Sequence, residues 1–181
     1  MTDREQWNLA VASVMEEFRG LAPSLRESLA DAVRGVRSCK EAIHAVAEGV
    51  AAPGICASCG GECCRTGKYH VTVTDLLVYL ADGRELFVPR FGQNSCPYLG
   101  EEGCLMPPGF RPFNCITFIC DRVDGMLEPM EKERLLGLEQ ELRDRCRTVG
   151  DLFGGRLRGA LLLTGVTRDS LPTGDTDGNH P

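Results

Sequence analysis

Positive charge is scarce in this chain of 181 residues: 20 Lys and Arg face 26 Asp and Glu, for a formal net charge of −6. A bulk binder of nucleic acid or of an anionic membrane needs a net basic face, so neither partner is expected. Long apolar runs are missing too. None approaches the roughly 18 uninterrupted apolar residues of a membrane span. The start, MTDREQWNLAVASVMEEFRG, has acids among its first residues and lacks the apolar stretch of a secretory signal. The expectation is a cytoplasmic protein in a reducing compartment. G-x-G-x-x-G, P-loop, H-E-x-x-H and G-x-S-x-G motifs are all absent. Nothing in the sequence therefore assigns an enzyme activity. There is also no internal repeat, and no linker long enough to separate two domains.

Cysteine, by contrast, is abundant: the chain has ten. In a reducing compartment a cysteine cluster is more often metal-binding or catalytic than disulfide-bonded. Apolar residues at 43% and charged residues at 25% are otherwise those of an ordinary globular protein.

The texture changes twice along the chain. Residues 3–19 carry Trp7, Val11, Val14, Met15 and Phe18 at the spacing of one helix face. Leu21-Ala22-Pro23 breaks that helix. Ser24 is a candidate cap for a second one, running to about Ala47, with a stripe of Leu25, Leu29, Val33, Val36, Ile43 and Ala47. The run AAPG (Ala51–Gly54) then ends the helix and delivers the chain to Cys56. Between Cys56 and Cys120, glycine, proline and cysteine are dense. Within this stretch YHVTV (Tyr69–Val73) alternates like a short strand. TDLLVYLADG reads as a short helix capped by Thr74 and stopped by Gly83. CPYLGEEGCLM reads as two extended arms around a turn, which brings Cys96 and Cys104 near each other. Pro129 opens a last long helix with Leu135, Leu138, Leu142, Cys146, Val149 and Phe153 on one face, and RLRGALLLTG continues it or follows a kink at Gly154-Gly155.

The expected organisation is therefore N-terminal helices over 1–53, a cysteine-cluster metal-binding core over 54–122, C-terminal helices over 123–166 packing on the same domain, and a disordered tail over 167–181. The fold class is mainly α with a small cysteine-rich irregular and β centre, an α+β single domain stabilised by metal.

Eight of the ten cysteines fall in the centre: Cys56, Cys59, Cys63, Cys64, Cys96, Cys104, Cys115 and Cys120. The C-x-x-C spacing of Cys56 and Cys59 lets one tight turn aim two sulfurs at one metal, and Gly60-Gly61 allows close folding around it. Thiolates favour zinc or iron–sulfur clusters over magnesium or calcium. Adjacent side chains diverge, so Cys63 and Cys64 either feed two neighbouring centres or divide ligation and packing between them. Eight thiols also suffice for two four-cysteine sites. The plain alternatives are buried inert thiols, which behave as small hydrophobes, or a disulfide-stapled domain. Cys39 and Cys146 lie on apolar helix stripes and read as core residues.

These residues resemble the YkgJ-type cysteine-cluster family, a zinc- or iron-chelating domain. The resemblance is carried by CASCGGECC (the C-x-x-C-x-x-x-C-C signature), CPYL at Cys96–Leu99, Gly103-Cys104 and RPFNCITFIC at Arg111–Cys120, and the Thr74-Asp75 helix start between the cysteine blocks also fits. It covers roughly residues 54–122 and leaves the helical flanks unexplained. The segment LMPPGF after Cys104 departs from the pattern: it is longer, richer in proline and lacks the family's tyrosine. The resemblance implies a metal ion or iron–sulfur cluster on the eight cysteines. A related cluster occurs in flagellin lysine methylases, which makes a protein-modifying enzyme a third and weaker expectation.

Arg111 is the candidate cofactor-binding residue outside the ligands, donating to cluster sulfides or offsetting thiolate charge; its plain alternative is a pair with Glu101 or Glu102. His70 reads first as an exposed strand histidine and second as a ligand. Neither His44 nor His180 attracts a role. Tyr98, Phe110, Phe113 and Phe118 surround the later cysteines and can shield a cluster from water. The functional expectation is a metal-binding protein, with an iron–sulfur cluster in a redox or electron-transfer role preferred over a zinc-binding structural or interaction module. A redox or protein partner is implied, of unspecified identity.

Overall fold

The computed structural model describes residues 1–153 except 65, 66, 88, 93–95 and 102. The side chain of Cys63 also lies outside the described part, as do the RLRGALLLTG segment, the Gly154-Gly155 break, the tail and Glu102. The protein is mainly helical. Helix α1 spans Asp3–Gly20, and Thr2 and Glu5 close a reciprocal cap at its start. Its buried face is Trp7, Ala10 and Val14, one residue per turn. Helix α2 spans Pro23–Gly49. Ser24 does not cap it. The N-cap is Ala22, without a side-chain bond, and Pro23 takes the first helical position, where its missing N–H is no loss.

Helix α2 is the central strut. Its buried stripe of Leu29, Val33, Val36, Cys39, Lys40, Ile43, Val46 and Ala47 packs against the last long helix, α7 (Pro129–Asp151), and against α4 (Val73–Ala81). From α7 come Leu142 and Val149, joined by Phe153 just beyond its end. Leu135, Leu138 and Cys146 lie partly buried beside them, as the heptad-like pattern predicts. Glu128 and Glu131 cap α7, and Pro129 is its first residue.

Three further local expectations need correction. The YHVTV strand does not form: Gly67–Tyr69 is a 3₁₀ turn, and α4 begins at Val73. Among the described residues of this run only Thr72 makes a single β-bridge, too little pairing to hold a strand. The alternation is spent instead on burying Val71 and Val73 at the approach to a helix. The cap of α4 is Thr72 rather than Thr74, because Thr72 has Asp75 three residues on. Asp75 Oδ2 accepts from the Thr72 N–H at 3.0 Å, and the Asp75 N–H donates back to Thr72 Oγ1 at 3.3 Å. The far end stops as expected. Gly83 takes φ +63, and the Gly83 and Arg84 N–H groups bond the Leu80 and Tyr79 carbonyls.

The third correction concerns Cys56, which lies on a helix, α3 (Ala52–Ser58), rather than in a tight turn. Ala51 in the left-handed region (φ 55) turns the chain sharply after α2, and Pro53 then suits the first turn of a new helix. The strand expectation for CPYLGEEGCLM holds in small form. Strands β1 (Leu99–Gly100) and β2 (Gly103–Cys104) pair antiparallel with Leu99 opposite Cys104, and the Leu105 N–H extends the ladder to the Tyr98 carbonyl. Two short helices, α5 (Phe113–Thr117) and α6 (Asp121–Asp124), follow. Among the described residues no helix is long and apolar enough to cross a membrane.

Candidate metal centre

The corner between α2, α3, β2, α5 and α6 encloses a cavity of about 610 Å³. Each wall residue arrives by a separate local device. Cys56 sits one turn past Ala52 on α3, and Cys64 ends the 3₁₀ turn Glu62–Cys64. Cys104 comes from β2, Cys115 from α5, and Cys120 is the N-cap of α6. All five line the cavity, together with His44, His70 and Arg111. An apolar cluster of Ala47, Ala52 and Val123 completes the wall.

Cys59 and Cys96 do not line the cavity. The Cys59 thiol bonds the Cys56 carbonyl at 3.3 Å. Cys96 is buried, and its thiol is hydrogen-bonded with Cys64. That bond, opposed by burial and helped by the Tyr98 and Leu99 amides, pulls the Cys96 thiol down to about 7. Gly61, at φ +68, is what lets the loop approach. A Cβ there would lie 2.8 Å from Leu99 Cδ2 and 3.2 Å from Cys96 Cβ.

Other thiols move the opposite way. Burial pushes Cys115 up to about 12, with Asp75, Cys104 and Cys96 adding negative field. Burial also raises Cys104, against the pull of the Arg111 guanidinium. His70 places Nδ1 3.5 Å from Cys115 Sγ, and burial lowers its pKa. Arg111 is held by its Nε donating to the Met106 carbonyl at 3.0 Å, bonds the Cys104 thiol, and sets NH1 3.3 Å from His44 Nδ1.

Several sequence expectations meet this geometry directly. Cys56, Cys64, Cys104, Cys115 and Cys120 converge, with Cys96 one thiol behind. Cys39 and Cys146 are elsewhere, in the α2–α7 core, where the Cys39 thiol bonds the Leu138 carbonyl. Tyr98 and Phe110 are buried, but Phe118 is 57% exposed at the rim and shields little. Sequence reasoning gave His44 no role and read His70 as exposed, yet both line the cavity. The signal for His44 was Lys40: a charged residue at a stripe position of α2, one turn before His44, marks a face that buries polar groups. Lys40 pairs with Asp75 at 3.0 Å, and both are almost fully buried.

Among the described residues, no three His, Cys, Asp or Glu side chains stand as a ready group around one ion. The thiols are taken up in pairs instead: Cys64 with Cys96, Cys115 with His70, Cys104 with Arg111. Every cysteine whose side chain is described is a free thiol. The donor set fits a soft metal centre, being thiols with an imidazole. The buried Tyr98 hydroxyl, without a hydrogen-bond partner, is a donor left over beside Cys115 and Cys96. No family model, curated protein or solved structure matches this chain.

Proposed function

We propose that the thiol-lined cavity is a metal centre, and that it carries an iron–sulfur cluster in a redox or electron-transfer role. The observation that carries this reading is the convergence of Cys56, Cys64, Cys104, Cys115 and Cys120 on one cavity from five separate elements. Unligated, such a cluster buries several thiols in shared hydrogen bonds for no evident packing gain. A space of about 610 Å³ is also generous for a single tetrahedral ion, whose sulfurs lie at about 2.3 Å. Cys56, Cys59, Cys63, Cys64, Cys96, Cys104, Cys115 and Cys120 are the proposed ligand pool, and the centre around them is a small metal-stabilised α+β core on a helical frame. The C-x-x-C-x-x-x-C-C signature and its YkgJ-type resemblance belong to the same proposal, as does a cytoplasmic, reducing location. Arg111, already donating to Cys104, would offset the charge of the ligated thiolates. A bound cluster would supply electron exchange; the chain itself would orient the thiols and line part of the wall with Ala47, Ala52 and Val123.

One observation favours zinc as a second reading. His70 stands against Cys115, and a mixed sulfur and imidazole set suits a structural zinc site without chemistry of its own. Metal and acid-labile sulfide analysis of protein purified without oxygen separates the two. Iron with matching sulfide and a brown colour is the expected result. Colourless protein with full zinc occupancy would overturn the cluster and leave the zinc module. Cys115→Ala should lower metal content whereas Cys146→Ala should not, and equal content in both would contradict the site.

A further inference from the structure

Five other arginines, Arg34, Arg37, Arg143, Arg145 and Arg147, each pair with a carboxylate. Arg111 does not. Half-buried on the cavity wall, it meets the Met106 carbonyl, the Cys104 thiol and the His44 ring. A guanidinium has five N–H donors, so these partners leave donors over. The direct partners of Arg111 are all neutral, and the carboxylate of the same wall, Glu139, is paired with Arg143 at 2.6 Å, so this half-buried cation is short of negative charge. Because Arg111 NH1 donates to His44 Nδ1, the neutral ring carries its proton on Nε2 and is itself a donor. One turn along α2 from His44 lies Ala47, which packs with Ala52 and Val123 into an apolar wall. The cavity reaches solvent where Asn114 and Phe118 line it and are exposed.

We propose that this cavity binds a small amphipathic carboxylate, with its head on Arg111 and His44 and its apolar body against Ala47, Ala52 and Val123. A planar carboxylate matches the guanidinium fork, and the volume lies in the range of small-molecule sites, about 300–1,000 Å³. The inference rests on the proposed metal centre only for what the bound molecule would face, namely the thiol wall of the same cavity.

The test is calorimetric titration of the full chain, purified without oxygen, with hexanoate and with hexan-1-ol, and metal analysis on the same sample. Hexanoate should bind roughly tenfold or more tightly than the alcohol, as expected when a charge-assisted contact is lost. Arg111→Gln should weaken hexanoate by a similar factor. If that variant fails to fold, His44→Ala should weaken it several-fold at unchanged thermal stability. Equal binding of acid and alcohol would overturn the inference, as would unchanged affinity in a folded Arg111→Gln variant. Metal without hexanoate binding would overturn this inference alone. Hexanoate binding without metal would support it and remove the proposed centre.

Discussion

Along α2 and α7, Leu29, Val33, Val36, Ile43, Leu142 and Val149 are buried at helical spacing, whereas from Cys56 to Cys120 the chain turns every few residues and most of its thiols stay half-buried. The long helices are held by apolar burial, which is non-directional and tolerates small shifts. The cysteine centre has α4 as one such wall, but its cavity side rests on short turns, left-handed glycines and paired thiols. A region built that way depends on close approach at a few atoms. It gains most from a ligand that ties those atoms together.

The largest effect is expected where the two regions join. Lys40 of α2 and Asp75 of α4 form a buried pair, and Asp75 also accepts from Thr72. Asp75→Ala should cost about 3–5 kcal/mol in urea unfolding, because it strands a buried ammonium and removes a cap. The double change Lys40→Met with Asp75→Leu should recover most of that loss, since an apolar pair of similar size avoids the desolvation penalty. A loss below about 1 kcal/mol in the single variant would mean that the pair is weakly coupled to the fold.

A glycine-to-alanine change should act with opposite sign in the two regions. Gly61→Ala, at φ +68 against Leu99 and Cys96, should destabilise by about 1–3 kcal/mol and lower metal content. Gly60→Ala carries a similar φ of +62 in open space and should cost less. Gly137→Ala, on α7 with open space around it, should stabilise by about 0.5–1 kcal/mol. Equal effects at Gly60 and Gly61 would show that the close approach to Cys96 does not matter.

The effect confined to the narrowest conditions is in pH. Burial first, and then the fields of Asp75 and Cys39, raise the Cys146 thiol to about 11, against the pull of Lys40. Its folded pKa lies above the unfolded value of 9.0, so its contribution is complete below about pH 9 and fades as pH climbs through about 11. Cys146→Ala should flatten that alkaline loss in a pH series of thermal melts. An unchanged slope would assign it to other groups.

The periodic helices were legible because their period is written in the residues: α1, α2 and α7 begin and end within a few residues of where apolar spacing and proline place them. The same reading misplaced the cap of α4, since Thr74 and Thr72 look alike until the acid three residues on is weighed. It also made a strand of YHVTV, because alternation says which residues are buried but not how far a neighbouring segment pairs with them. Eight cysteines were chosen by clustering: Cys56, Cys64, Cys104, Cys115 and Cys120 line the cavity, Cys59 and Cys96 do not, and the Cys63 side chain lies outside the described part. His44 was missed because the mark it had, Lys40 at a stripe position one turn earlier, says that polar groups are buried on that face but not what packs over them.

The sequence by itself determined the helical frame, the separation of Cys39 and Cys146 from the other thiols, and the crowding of eight cysteines into one stretch. Those follow from periodicity and residue type, which are local. Only the tertiary structure decided that His44, His70 and Arg111 share a cavity with the thiols, that Cys96 stands behind Cys64, and that an apolar wall of Ala47, Ala52 and Val123 faces the same space. These residues come from segments up to 79 positions apart, 44 to 123, and no short-range pattern encodes where the packing of α2 against α3, α5 and α6 brings them.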